Sequence, residues 1–117
     1  MKKILLLIPA ALLLNACSPH PGAGNWTATE ENSWGIPGLT LSYEGRALFT
    51  SKTPPATWHC FWSGENKTSA RLDCTPSTDT EQEDRFEFQV NENGIGTLSR
   101  QGRTLGHFRR VEGRPEI

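Results

Sequence analysis

The sequence lacks most of what side-chain catalysis requires. It has no G-x-S-x-G turn to present a nucleophile, no G-x-x-x-x-G-K-[ST] phosphate cradle and no dinucleotide-binding glycine fingerprint. Its three histidines, His20, His59 and His107, are scattered, and no C-x-x-C or H-x-x-x-H spacing is present to ligate zinc. Paired carboxylates are no better placed. The acidic run of Asp79, Glu81, Glu83, Asp84 and Glu87 lies in a Thr- and Ser-containing, turn-like stretch where solvation explains it more simply than a glycosidase pair does. These absences predict a chain that is not an enzyme, with no catalytic residues, no metal and no cofactor.

A strong charge imbalance is missing too. Lys and Arg total 12 against 13 Asp and Glu, and leaving out Lys2 and Lys3 of the N-terminal segment makes the remainder about three charges negative. Nucleic acid is therefore not an expected partner. The basic residues Arg100, Arg103, Arg109, Arg110 and Arg114 crowd the C-terminal quarter, opposite in sign to the acidic run, which suggests solvated surfaces that face one another across neighbouring strands. A docking patch is the alternative.

Long apolar runs are absent after residue 14. The one present begins behind Lys2 and Lys3, spans residues 4–14 and is interrupted by Pro9; a membrane-spanning helix needs roughly 20 apolar residues. A basic start, a short apolar stretch and a small residue, Ala16, before Cys17 make a cleavable signal peptide over residues 1–16. Leu14-Asn15-Ala16-Cys17 resembles the lipobox of bacterial lipoproteins. That resemblance implies cleavage before Cys17 and lipidation of its thiol, with several acyl chains, enough for stable membrane anchorage. Ser18 in place of Asp after the cysteine implies, by the same resemblance, sorting to the outer membrane, where the domain is expected to face the periplasm. Residues 17–24, with Pro19, Pro21, Gly22 and Gly24, read as the lipidated cysteine and a flexible tether.

Residues 25–117 offer no helical stripe. Period-two hydrophobicity alternates instead with turn residues at short intervals, so the domain is expected to be all-β. Leu39, Leu41 and Tyr43 alternate with polar residues, Glu44-Gly45 turns the chain, and residues 46–50 return. Phe86, Phe88 and Val90 share one face of a half-buried strand. Asn93-Gly94 and Gln101-Gly102 then lay out a meander through residues 95–99 and 104–111.

Residues 57–74 allow register and chemistry to be checked against each other. With Cys17 taken by lipid, Cys60 and Cys74 remain as a pair in an oxidising compartment, where a disulfide is the expectation. A reversal centred on Lys67 sets Cys60 opposite Cys74 and Trp62 opposite Leu72, with Trp58 on the same inward face. Thr57, His59, Phe61, Arg71 and Asp73 then point the other way.

Seven or eight short strands in a domain this small suggest an antiparallel up-and-down barrel, closed or half-closed, with one hairpin disulfide. Gly24-Asn25-Trp26 resembles the G-x-W start of lipocalin-like barrels, an architecture in which small bacterial metalloprotease inhibitors also combine G-x-W with one disulfide. That resemblance implies a structural Trp26 at the closed end. Trp34 lies in a Gly- and Pro-rich loop, where it either caps the barrel mouth or contacts a partner.

The functional expectation is a non-catalytic protein-binding or assembly module, anchored to the membrane through Cys17 and holding an envelope or periplasmic protein. The alternatives are an inhibitor or immunity protein directed at a hydrolase, and a carrier of a small apolar ligand. Lysozyme-inhibitor lipoproteins share the size and address, but their S-G-x-x-Y stretch is absent. A carrier requires a hollow interior.

Overall fold

The computed structural model describes residues 19–117. Eight strands run in chain order: β1 (Gly24–Ala28), β2 (Gly38–Leu41), β3 (Arg46–Lys52), β4 (Pro55–Gly64), β5 (Ser69–Pro76), β6 (Asp84–Val90), β7 (Ile95–Arg100) and β8 (Arg103–Val111). Each pairs antiparallel with the next, and β1 pairs with β8 through Trp26 and Arg110, so the sheet closes on itself. The fold is an up-and-down barrel without an open edge, not a half-barrel. Closure leaves no row of unpaired backbone groups to recruit another chain.

Alternation in the sequence becomes alternation across the wall. Phe86, Phe88 and Val90 are buried on β6, while Arg85, Glu87 and Gln89 between them are exposed. Phe86, Phe88, Phe108, Leu41, Leu72 and Leu98 are wholly excluded from solvent. Small inward residues make room for them; a side chain at Gly96 would collide with the ring of Phe88. Phe49, Trp58 and Phe86 pack with centroids 5.3–5.9 Å apart, stacked or edge to face, arrangements that the aromatic quadrupole favours.

The expected register of β4 and β5 is the observed one. Cys60 pairs with Cys74 and Trp62 with Leu72. The two cysteines are bonded, with Cα atoms 4.0 Å apart, and the bridge lies inward, at 5% and 0% exposure. Trp58 is buried beside it, with its indole N–H donated to the Ser51 hydroxyl at 2.9 Å. Trp62, near the strand end, is only half-buried and donates to the Ser42 carbonyl at 2.8 Å.

Two local expectations need correction. Tyr43 was expected to continue the inward row of Leu39 and Leu41, but it is 52% exposed. The connection is a three-residue loop and not a two-residue one. Ser42 N–H bonds the Arg46 carbonyl at 2.8 Å, Gly45 N–H bonds the Ser42 carbonyl at 3.3 Å, and Gly45 takes φ +89°. That is the geometry of a turn followed by a left-handed residue, which glycine adopts without strain. Tyr43 therefore leaves the strand one residue earlier than simple alternation implies.

The second correction concerns the tether. Gly24 opens β1, and residues 20–23 fold back against the barrel. The indole N–H of Trp26 donates to the Gly22 carbonyl at 3.0 Å, and the Arg110 guanidinium, 4.5 Å from the centroid of Trp26, donates to the carbonyls of Pro21 and Ala23. Gly24, at φ +144°, leaves the space this guanidinium occupies. Backbone carbonyls that would face water in a free linker are satisfied here by side chains of the barrel, and this holds the segment in place. Trp26, 3% exposed, is structural, as the resemblance implied.

The barrel thus has two distinct ends. The lower one gathers residues 19–23, the turns 42–45, 65–68 and 91–94, and the C-terminal residues 112–117; the upper one gathers 29–37, 53–54, 77–83 and 101–102. From β8 the C-terminal residues run along the lower rim. The Gly113 carbonyl accepts from Asn25, Arg114 lies over Tyr43 and Pro115 is fully buried.

Candidate functional site

Cys17, the expected site of lipidation, lies outside the described residues. Cys60 and Cys74 form the expected disulfide. The remaining expected site residue is Trp34, in the loop 29–37. The Asn32 side chain clamps this loop, donating to the Ile36 carbonyl and accepting from its N–H, both at 2.8 Å. The Trp34 carbonyl accepts from Lys52 N–H at 2.8 Å and Thr53 N–H at 3.2 Å. The indole is thereby placed 5.6 Å from Trp58 and 5.9 Å from Phe86, with Arg100 over its outer face. Trp34 caps the barrel mouth. Its half-buried ring leaves a recess of about 230 Å³ shared with Arg100, Gln101, Arg103 and Leu105.

Arg100 also pairs with Asp84 at 3.1 Å, so in this pair the acidic and basic segments do meet across the barrel wall. The neighbouring carboxylates Asp79, Glu81 and Glu83 stay in solvent on the loop above.

The strongest exposed feature is on the outer wall. Phe61 is 71% exposed in the middle of β4, although both adjacent residues, Cys60 and Trp62, point inward. Its cross-strand neighbours are Arg46 on β3 and Asp73 on β5. Asp73 is held by Arg71 at 3.3 Å and Arg85 at 3.4 Å. Arg46 is exposed, and among the described residues no carboxylate pairs with it. One step toward the upper end, His59 sits between Leu48 and Thr75. These residues, with Glu83 at one extremity and Ile117 at the other, line a groove of about 490 Å³.

The chain matches no protein-family model, no curated protein and no solved structure.

What the groove can do follows from its composition. An exposed phenyl ring on a rigid strand offers apolar area whose burial needs little ordering, and an adjacent guanidinium supplies directional charge-assisted bonds. Aromatic residues and arginine are the types enriched where binding energy concentrates. Among the described residues no three His, Cys, Asp or Glu side chains converge as metal ligands.

The outward position of Phe61 was readable from strand parity. The groove was not, because it depends on the C-terminal residues returning to Arg46 and Phe61, and no local pattern encodes that return.

Proposed function

We propose that this chain is a lipid-anchored, non-catalytic protein-binding module of the bacterial envelope, held to the outer membrane through Cys17 and engaging a periplasmic or envelope protein through the outer wall around Phe61. The observation that carries the reading is Phe61 itself. A phenylalanine 71% exposed sits on a disulfide-braced strand beside Arg46 and lines a groove of about 490 Å³, which pairs apolar area with an exposed guanidinium. The anchor rests on the signal sequence and on Cys17 directly after it.

Packing favours protein binding over small-ligand carriage, since Trp58, Phe49, Phe86, Phe88, Phe108 and Leu72 occupy the space inside the wall and Trp34 covers the upper mouth. Inhibition by an inserted N-terminal segment is less well supported, because residues 20–23 are bonded to the barrel and do not project.

Two measurements test the proposal. Labelled palmitate is expected to enter the wild-type chain and not Cys17→Ala; failure to label the wild type would overturn the anchor. Crosslinking in intact envelopes is expected to retain a partner with the wild type and with Thr104→Ala, and to lose it with Phe61→Ser and Arg46→Ala. Equal retention by all four would place the contact elsewhere.

A further inference from the structure

The lower end carries a second exposed aromatic cluster that the Phe61 groove does not use. Pro19, His20, Ala23, Tyr43 and Trp62 line a recess of about 460 Å³. His20 meets Trp62 edge to face at 5.7 Å. Its Nδ1 accepts from Gly22 N–H at 2.9 Å and its Nε2 donates to the Asn66 carbonyl at 2.8 Å, a pair of roles that a neutral ring protonated on Nε2 satisfies. The Nδ1 bond shapes the segment's own turn, and the Nε2 bond locks that turn to residues 65–68 of the barrel.

That lock limits how far the barrel can stand from the membrane. Cys17 precedes Pro19 by two residues, whose full extension is roughly 7 Å. A thioether lipid on Cys17 therefore holds the Tyr43 and Trp62 rim within about one headgroup layer of the acyl chains. Tyrosine and tryptophan are the side chains that settle at that depth, with an apolar body and a polar tip.

We infer that the lower end of the barrel rests on the bilayer surface, with Tyr43 and Trp62 in the headgroup region, and that the upper end with Trp34 points away from the membrane. This rests on the lipid-anchor reading. Charge does not supply the contact, because Glu44, Glu65, Glu92, Glu112 and Glu116 outnumber Lys67 and Arg114 on the rim. Salt therefore does not weaken the association, as it would that of a polybasic surface, and on an anionic bilayer it relieves repulsion of the acidic rim.

The test uses the lipidated full chain with vesicles of phosphatidylethanolamine and phosphatidylglycerol, a fraction of whose lipids are brominated high on the acyl chain. Flotation reports anchorage, and quenching of tryptophan emission reports contact. Wild type is expected to float and to be quenched at low salt, and at least as strongly at high salt. Trp62→Phe is expected to float with the quenching clearly reduced, Trp26 at the same end accounting for what remains. Tyr43→Ser, which removes a 52% exposed ring lying beneath Arg114, is expected to float with the quenching weakened, so the test does not depend on one variant folding. Flotation without quenching, or quenching undiminished in Trp62→Phe, overturns the orientation while leaving the anchor intact. A wild-type chain that fails to float overturns the anchor and the orientation with it.

Discussion

At its lower end the barrel is sealed by the chain's own backbone, whereas at its upper end one side chain does the sealing. Below, the Arg110 guanidinium, the Trp26 indole and the His20 ring each bond to main-chain groups of the incoming segment or of a neighbouring turn, and the C-terminal residues run along the same rim. Above, the Trp34 ring lies on Trp58 and Phe86 by packing alone, held by hydrogen bonds of its loop and not of its indole. The lower closure is cooperative, since removing one donor leaves carbonyls without partners. The upper closure is a lid that can be lost without leaving a buried polar group unsatisfied.

Substitutions at the two ends should separate accordingly. Trp26→Ala removes a buried indole together with its bond to Gly22 and is expected to cost about 3–5 kcal/mol in chemical denaturation. Next in size is the disulfide, which braces the wall between the two ends. Replacing Cys60 and Cys74 together by Ala opens a loop with a sequence separation of 14 and is expected to cost about 3 kcal/mol, seen as a lower midpoint with a somewhat steeper slope, because the unfolded chain is no longer crosslinked. Arg110→Ala, which frees the carbonyls of Pro21 and Ala23 and uncovers Trp26, should cost about 2 kcal/mol. Its more telling effect is expected in hydrogen exchange, where amides 22 and 23 lose protection while those of β6 keep it.

Trp34→Ala, at the partly buried upper lid, should cost less, about 1–2 kcal/mol, because part of the ring already faces solvent and no indole hydrogen bond is lost. Should it prove as costly as Trp26→Ala, the contrast between the ends would be wrong. Smallest of all, Phe61→Ser should change stability by less than about 1 kcal/mol while abolishing partner crosslinking. A large loss of stability there would show that Phe61 serves the fold and not a partner.

Much of the barrel was legible because antiparallel β-structure writes its faces directly into sequence. Phe86, Phe88 and Val90 read as inward and are inward, and a reversal centred on Lys67 suffices to align Cys60 with Cys74 and Trp62 with Leu72. What escaped was the behaviour of segments outside the strands. Tyr43 depends on whether its turn has two residues or three, a choice of one backbone dihedral at Gly45. Residues 20–23 have the composition of a linker, and only the distant Arg110, Trp26 and Trp62 convert them into a fixed closure. Trp34 left two readings open, and its lid position is decided by Trp58 and Phe86, far away in the chain.

The docking of residues 20–23 is the point on which both the contrast between the ends and the orientation on the membrane turn, and amide exchange at Gly22 and Ala23, compared between wild type and Arg110→Ala, tests it. Their N–H groups bond to the ring and the carbonyl of His20, so they are expected to exchange far more slowly than an unstructured peptide and to lose that protection in Arg110→Ala. Exchange at the free-peptide rate in the wild-type chain would show instead a loose tether and a barrel free to tumble above its anchor.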